Sequence, residues 1–163
     1  RHKIDDFFWK DLCDNYFEIV KERLYKPEIH GYRQRRSAQY ALYYSLFNVL
    51  KLYAIFVPHI TEYIYQSYFR QHEKSISLHR LQWEPDKAVD NDIIRFGEKL
   101  KDVISETRKY KTENALSMKS EIEKVVIDTD ENLAGLFQQT INDIKACCHA
   151  KAIEIRAGGQ ERG

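Results

Sequence analysis

The sequence contains little glycine, proline or cysteine: its 163 residues include 6 Gly, 3 Pro and 3 Cys. Because glycine and proline mark turns, their scarcity argues against an all-β sandwich and favours long helices. The cysteines are Cys13, Cys147 and Cys148. Their odd number and adjacent pair give no disulfide framework, and no Cys-x-x-Cys pair is available for zinc. We therefore expect reduced thiols in a mainly helical protein.

An excess of positive charge is also lacking. Lys and Arg total 26 against 25 Asp and Glu, so the formal net charge is +1. A nucleic-acid partner would therefore have to be held by locally concentrated cations. The sequence has no signal peptide at its start and no apolar run that could span a bilayer, which predicts a cytoplasmic protein without a membrane partner. Since it starts at Arg1 without methionine, we expect it to be part of a longer protein.

Sequence motifs for catalysis are missing as well. Neither Gly-x-Gly-x-x-Gly nor Gly-x-x-x-x-Gly-Lys-Ser/Thr occurs, so no phosphate-binding loop of known type is predicted. The nucleophile elbow Gly-x-Ser-x-Gly is absent too. His59 and Glu62 form at most half of a metal site, and His149 beside Cys147 and Cys148 does not complete one, because adjacent side chains on a helix diverge by about 100°. We predict no catalytic residue and no metal site.

Apolar residues recur at steps of three and four and predict four helices. The first spans residues 4–26 and ends before Pro27, and the second spans residues 37–56 with Ser37 as its N-cap. The third begins at Pro58, and the fourth runs from about residue 91 to residue 110. In these helices we expect the following side chains to be buried: Trp9, Tyr16, Ile60, Ile64, Tyr68, Phe69, Ile93, Ile94, Phe96, Leu100, Val103, Ile104 and Thr107.

The last fifty residues change character. Residues 123–128 are rich in β-branched side chains, residues 130–150 have a helical period, and residues 151–156 alternate like a second strand. The predicted fold class is mainly α, a helical bundle with a small C-terminal strand–helix–strand (α/β) appendage. We expect the bundle to occupy residues 1–113, the α/β tail residues 114–157, and a disordered C-terminus residues 158–163.

Positive charge is concentrated in residues 21–36, which hold six Lys or Arg against two Glu, with tyrosines interleaved. Cations can hold phosphates and aromatic rings can stack on unpaired bases, so this composition suits single-stranded or looped RNA. A solvated helix end with charges matched to the helix dipole would have the same composition. The residues alone leave both interpretations open.

Residues 7–25 resemble a helix that valyl-tRNA synthetases carry in their anticodon-binding domain. The family pattern is Phe-x-Trp-x-x-Phe-Cys-Asp-x-Tyr-x-Glu-x-x-Lys-x-Arg-Leu-Tyr, and Leu12 replaces its second Phe. The matching residues are Trp9, Cys13, Asp14, Tyr16, Glu18, Lys21, Arg23, Leu24 and Tyr25.

Three later segments are similar to the same family, in the same order. Residues 58–66 resemble Pro-x-x-Thr-Glu-x-Ile-Tyr/Trp-Gln, residues 75–85 resemble a Ser-Ile…Trp-Pro segment, and residues 108–119 resemble an Arg-x-x-Lys-x-Glu junction. The class I catalytic signatures His-Ile-Gly-His and Lys-Met-Ser-Lys-Ser are missing, and residues 117–120 only echo the second. The long coiled-coil arm of many bacterial members is absent, and residues 122–156 resemble the short tail of other branches.

The resemblance implies a C-terminal anticodon-binding bundle that contacts the anticodon stem-loop of valine tRNA and selects it. The parent enzyme would attach valine to its tRNA with ATP and Mg in an upstream catalytic domain, most members acting as monomers, whereas this part would bind no cofactor. The alternatives are a helical protein-interaction module without an RNA role, or the same domain of an isoleucyl or leucyl sibling enzyme. The resemblance and the charge pattern together assign tRNA binding to Lys21, Arg23, Tyr25, Lys26, Arg33, Arg35 and Arg36.

Overall fold

The computed structural model describes residues 1–83 and 88–158. The predicted turn at Glu84 and Pro85 and the expected disorder of residues 159–163 lie outside the described residues. The chain divides into two compact units, one formed by residues 1–17 and 23–87 and the other by residues 18–22 and 88–163. Each unit has its own structure and core.

Helices make up the first unit, and the predicted helix over residues 4–26 is confirmed. The chain is helical from His2 to Tyr25, through α1 (His2–Asp6), a π-helical stretch (Phe7–Tyr16) and α2 (Phe17–Tyr25). A short α3 (Pro27–His30) and the long α4 (Tyr32–Tyr53) follow. The next elements are α5 (Pro58–Ile64), a second π-helical stretch (Tyr65–Phe69) and a 3₁₀ turn (Leu78–Arg80).

The predicted start of the second long helix at Ser37 is wrong. Helix α4 begins at Tyr32, and the amide of Arg35 already donates to the carbonyl of Gly31 (3.2 Å). Gly31 has φ +93° and ψ 147°, a conformation available almost only to glycine. The chain changes direction at this residue, and the basic residues that follow it lie in the first turns of α4. Ser37 lies exposed within the helix.

The core of the first unit is aromatic, and of the residues expected to face inward from the third helix it contains Phe69 but neither Ile60 nor Tyr68. Tyr65 and Phe69 are buried together with Leu50 of α4 and Leu78. Thr61 is also buried, because its hydroxyl donates to the carbonyls of Val57 and Pro58 (3.0 Å each). Ile60 and Tyr68, which the apolar pattern of the sequence predicts to face inward, are 53% and 67% exposed instead.

Trp9 was also expected in the core, and that prediction is wrong. The Trp9 side chain is 60% exposed, and its ring lies edge-on against Phe8, with 4.9 Å between the ring centroids. Tyr16 is partly buried. The i, i+3, i+4 pattern of an ordinary helix does not apply along this stretch because residues 7–16 follow the wider π-helical turn.

In the second unit, a long helix packs with the α/β tail. Helix α6 (Asn91–Glu113) is N-capped by Asp90, which accepts hydrogen bonds from the amides of Asp92 and Ile93. Strands β1 (Ile122–Thr129) and β2 (Ala150–Ala157) pair in parallel, with Ile127 opposite Ile155. Both predicted strands are confirmed to within two residues.

Two helices, not one, connect the strands. The predicted helix over residues 130–150 is divided into α7 (Glu131–Gln139) and α8 (Ile141–Cys148). Thr140 separates them, with φ −107° and ψ 9°, and its hydroxyl donates to the carbonyl of Leu136 (3.0 Å). The apolar face continues across Thr140. The helical period of the sequence therefore gave no sign that two helices are present.

Buried residues of α6 form the core of the second unit with the tail. Ile104, Ile127, Phe137 and Ile144 are at most 1% exposed, and Ile19 packs against this cluster. The expected burial of Leu100, Val103 and Ile104 is confirmed, whereas Ile93 and Ile94 are 57% and 52% exposed. Phe96 is partly buried, with its ring edge-on to Phe137.

Lys111, near the end of α6, is almost fully buried. Its Nζ donates to the carbonyl oxygens of Met118 (2.8 Å) and Cys148 (3.0 Å), which lets a charged side chain occupy the interior. The boundary that we expected after residue 113 falls within this compact unit. Among the described residues, no helix is both long and apolar enough to cross a membrane.

Candidate nucleic-acid interface

Six of the seven residues assigned to tRNA binding lie in the first unit, around the corner that joins α2 to α4. Arg23 and Tyr25 end α2, Lys26 follows it, and Arg33, Arg35 and Arg36 lie in the first turns of α4. We call these six residues the basic corner.

Lys21, the seventh residue, belongs to the second unit. Its Nζ pairs with the Glu18 carboxylate at 3.3 Å. This i, i+3 pair is exposed and therefore weak.

Local hydrogen bonds make the corner tight. Pro27 opens the single-turn α3, and its carbonyl accepts from the amide of Gly31 at 2.7 Å. The carbonyl of Lys26 accepts from the amides of Ile29 (3.1 Å) and His30 (3.3 Å). Only five residues separate Lys26 from the first helical residue after Gly31, so the end of α2 and the start of α4 remain close together in the chain.

Exposure differs among the residues of the basic corner. Tyr25 is 78% exposed, and Lys26, Arg33 and Arg36 are exposed as well. The apolar stripe through Ile19, Val20 and Leu24 predicts that the Arg23 side chain points away from the bundle, but Arg23 is partly buried.

Arg35 is also partly buried, and its Nε is a buried donor without a hydrogen-bond partner in the described part of the chain. Any phosphate contact by Arg35 would therefore have to use its terminal amino groups.

Tyrosine rings accompany these cations. Tyr32, at the start of α4, is 70% exposed, so two tyrosine rings and three exposed cations share the corner. Exposed rings can stack on unpaired bases while neighbouring cations hold phosphates. The acidic side chains of this segment are Glu22 and Glu28. The arrangement fits an RNA loop better than a regular duplex, in which the bases are already stacked.

Two further tyrosines on α4 were not indicated by the sequence analysis. Tyr40 and Tyr44 stack on each other, with ring centroids 6.2 Å apart and planes inclined by 21°, and they are 66% and 41% exposed. Together with Arg36 they follow an i, i+4, i+8 spacing, so they continue one face of α4 away from the corner. That spacing was the signal available in the sequence, and the sequence analysis did not single it out.

The segment at residues 58–66 that resembles the synthetase family has a structural role here. The Glu62 carboxylate accepts hydrogen bonds from the Leu78 amide (2.9 Å) and the Ser77 hydroxyl (3.0 Å). Gln66 donates to both Glu62 (2.6 Å) and the carbonyl of Ile76 (2.7 Å). We call this set, Glu62 and Gln66 with residues 76–78, the Glu62 clasp.

The clasp also sets the ionisation of its carboxylate. Partial burial raises the pKa of Glu62, but the hydrogen bonds from Gln66, Ser77 and Leu78 together with nearby His79 outweigh this effect and hold the pKa below its ordinary value. The Glu62 carboxylate is therefore engaged in hydrogen bonds that hold the fold together.

The thiols of the second unit are in an apolar environment. Burial raises the pKa of Cys147 to about 11, and the pKa of Cys148 is also raised by burial. Both thiols are therefore protonated at neutral pH and are poor metal ligands. Within residues 1–83 and 88–158, no group of three or more His, Cys, Asp or Glu side chains is arranged to hold a metal ion.

Comparison with known proteins identifies relatives of the whole chain. The family model described as "Anticodon-binding domain of tRNA ligase" matches residues 1–127, a range that contains the basic corner and the Glu62 clasp. Valine--tRNA ligase of Methanopyrus kandleri is 35% identical over 158 residues, which are 95% of this chain and 17% of the relative.

Two other relatives give the same result. Valine--tRNA ligase of Thermococcus kodakarensis is 34% identical over 95% of this chain and 17% of its own length. Valine--tRNA ligase of a Wolbachia from Brugia malayi is 34% identical over 96% of this chain and 18% of its own length. The chain thus spans less than a fifth of the length of these relatives.

Proposed function

Because the chain belongs to the family of anticodon-binding domains of tRNA ligases, we propose that it is the C-terminal anticodon-binding part of a valine–tRNA ligase. In this role it contacts the anticodon stem-loop of valine tRNA and helps to select that tRNA. The single observation that carries the proposal is the match over residues 1–127, which includes an exposed basic and aromatic corner. The similarity to valine--tRNA ligases over 95% of the chain supports valine as the amino acid.

The proposal assigns different tasks to the residues of the corner. Tyr25, at the end of α2, stacks on a base of the anticodon loop, and Arg23 and Lys26 beside it bind the loop. Arg33 and Arg36 on the first turns of α4 contact phosphates, as does Arg35 through its terminal amino groups. Lys21, although paired with Glu18, contributes one further positive charge. Such contacts combine phosphate binding with recognition of unpaired bases.

The whole enzyme would attach valine to its tRNA in the cytoplasm, with ATP and Mg bound by a catalytic domain elsewhere in the polypeptide. The enzyme would act as a monomer. This chain contributes no catalytic residue, because it lacks both class I signatures and any phosphate-binding loop.

We expect the purified 163-residue chain to show no valine-dependent exchange between ATP and pyrophosphate. The full-length protein, assayed in parallel, is the positive control. Exchange by the chain alone above the background of a reaction without valine would contradict the assignment of catalysis to another domain.

Phosphate binding by the basic corner can be tested through its salt dependence. In the full-length protein, Arg33→Ala and Arg36→Ala should each weaken binding of valine tRNA and lower the salt slope by about one counterion. Filter binding at several salt concentrations measures both quantities. Arg80→Ala, which removes an exposed arginine from the 3₁₀ turn of the same unit, is the matched control and should change neither.

If Arg33→Ala and Arg36→Ala both behave like Arg80→Ala, the corner is a solvated helix end and the RNA assignment fails. The helical protein-interaction module would then be the better interpretation.

A further inference from the structure

A row of cations and aromatic rings continues from the basic corner along α4. Arg33, Arg36, Tyr40 and Tyr44 follow one another at steps of three and four residues. At about 100° per residue they lie within about 80° of one another around the helix, so they occupy one face over about 17 Å. We call these four residues the α4 row. Its first two members belong to the basic corner, whereas its two tyrosines have no role in the proposed function.

Helix α4 carries no negative charge of its own. Asp and Glu make up 25 of the 163 residues of the chain, yet none is among the 22 residues of α4, which include four Lys or Arg. Two carboxylates from neighbouring segments contact the helix through tyrosines outside the row. Glu73 accepts a hydrogen bond from the Tyr43 hydroxyl (2.6 Å), and Asp5 accepts one from the Tyr53 hydroxyl (2.6 Å). A nucleic-acid backbone that approaches the row therefore meets cations of α4 and no carboxylate of the same helix.

Tyr40 presents its ring to solvent. Its side chain is 66% exposed, and its ring centroid lies 6.2 Å from that of Tyr44, with the two planes inclined by 21°. Tyr44 is less exposed, at 41%, so it supports a Tyr40 ring that is open to a further stacking partner. Tyrosine has few rotatable bonds, and a ring supported in this way loses little conformational freedom when a base stacks on it.

The distances along α4 suit a strand of nucleotides. Tyr40 follows Arg33 by seven residues and Arg36 by four, which corresponds to about 10 Å and about 6 Å at ~1.5 Å per residue. Stacked nucleotides repeat at roughly 3.4 Å along their strand. A strand whose phosphates contact Arg33 and Arg36 therefore has another nucleotide beside Tyr40, about two to three positions further on.

We propose that Tyr40 is a second stacking platform for tRNA, which takes an unpaired base of the anticodon loop that flanks the anticodon. The inference rests on the proposed function, because it requires the basic corner to hold the same loop. Stacking on a tyrosine ring accepts any base, since every base has a face to stack on. Because this base lies outside the anticodon, Tyr40 contributes to the affinity for tRNA and not to the discrimination between anticodons.

Filter binding to the full-length protein tests the proposal. Tyr40→Ala should weaken binding of valine tRNA about tenfold, and it should weaken binding of an anticodon-swapped valine tRNA by the same factor. The dependence of affinity on salt should stay unchanged, because no cation is removed. Tyr40→Phe keeps the ring and should bind both tRNAs like the unchanged protein. Tyr68→Ala, which removes a tyrosine of comparable exposure (67%) outside the α4 row, is the matched control and should also bind both tRNAs unchanged.

Site-specific photo-crosslinking gives a second readout, which does not depend on how Tyr40→Ala affects the fold. With p-benzoylphenylalanine in place of Tyr40, irradiation of the full-length protein with valine tRNA should yield a crosslink to the tRNA. Primer extension should map this crosslink to a nucleotide of the anticodon loop outside the anticodon. The same photo-reactive residue in place of Tyr68 should not capture that nucleotide.

Each other outcome overturns the proposal. Unchanged affinity of Tyr40→Ala would show that the tyrosine pair only stabilises α4, and a loss confined to valine tRNA would place Tyr40 on the anticodon itself. An absent crosslink, or a crosslink to the stem or to a protein, would equally contradict a contact with the flanking base. If Arg33→Ala and Arg36→Ala weaken binding while Tyr40→Ala does not, this inference fails and the proposed function stands. If none of the three weakens binding, both fail.

Discussion

Gly31 determines the geometry of the basic corner at the scale of one residue. Its φ of +93° lies in a region that other residues rarely adopt, and a Cβ atom at this position would lie 2.7 Å from the Gln34 Oε1. The Gly31 amide closes α3 on Pro27, and its carbonyl opens α4 on Arg35. One glycine therefore ends one helix and starts the next, so that only a short turn of chain separates Lys26 from the cations of α4.

We expect Gly31→Ala to destabilise the chain by about 1–3 kcal/mol, the usual cost of a non-glycine residue in such a conformation. Thermal or urea unfolding of the 163-residue chain measures this loss. Gly97→Ala is the matched control, because Gly97 lies within α6 and an added Cβ would meet no atom within 4 Å. That change should stabilise by up to about 1 kcal/mol through helix propensity. Equal effects at both glycines would contradict the structural role given to Gly31.

At the scale of elements, the Glu62 clasp fastens the segment around the 3₁₀ turn to α5. The Glu62 carboxylate and the Gln66 amide together hold Ile76, Ser77 and Leu78, and the Tyr65 hydroxyl donates to the carbonyl of Ser75 at 2.6 Å. These bonds place Leu78 in the aromatic core. The Thr-Glu-x-Ile-Tyr-Gln sequence is thus explained by packing of the first unit.

The clasp predicts a dependence of stability on pH. Because the pKa of Glu62 is lower in the folded than in the unfolded chain, its carboxylate stabilises the fold at neutral pH, and this contribution is lost as the pH falls through the folded-state pKa. The melting temperature of Glu62→Gln should therefore lie below that of the unchanged chain at pH 7, and the difference should shrink at about pH 3.

Glu106→Gln, which removes an exposed negative charge from α6, is the control for this titration. It should change the melting temperature little at either pH. A Glu62→Gln difference that stays constant between the two pH values would show that the ionised carboxylate does not stabilise the clasp.

Helices and strands could be predicted from the sequence where local patterns determine them. Features that depend on tertiary contacts could not be predicted. The two strands and the first and fourth helices were predicted because alternation and helical spacing are local properties. The buried face around Thr61 could not be predicted, since a threonine becomes a core residue only when its hydroxyl finds helix carbonyls. The predicted start of α4 was wrong because serine is a typical N-cap residue, whereas Ser37 lies within the helix.

The clustering of the candidate site residues could be predicted from the sequence, whereas their exposure could not. The clustering of cations and tyrosines over residues 21–36 is visible along the sequence, and the structure keeps six of the seven assigned residues in one unit. Exposure was not predictable, because it depends on how α3 turns the chain. Arg35 has a buried Nε and Arg23 is partly covered, whereas Tyr25 is largely exposed.

At the scale of the whole molecule, the described features are distributed between two compact units. The first contains the Glu62 clasp and six of the seven residues assigned to tRNA. The second packs α6 against a parallel two-stranded sheet and two short helices, with Lys111 bridging two backbone carbonyls. The family match covers all of the first unit and continues into β1. The proposed contact with tRNA is therefore concentrated in the first unit.

The central claim is that Tyr25 and the basic corner recognise an anticodon loop, and Tyr25→Ala tests it most directly. In the full-length protein, filter binding of valine tRNA and of an anticodon-swapped valine tRNA should be measured beside a thermal melt. Since stacking on a loop base is worth roughly 1–3 kcal/mol, Tyr25→Ala should weaken binding of valine tRNA about tenfold, reduce the preference over the swapped tRNA and leave the melting temperature unchanged. Tyr68→Ala, at a comparably exposed tyrosine of the same unit, should bind both tRNAs like the unchanged protein. If Tyr25→Ala also binds both tRNAs unchanged, or loses melting temperature without losing affinity, Tyr25 does not contact the anticodon loop and the account is wrong.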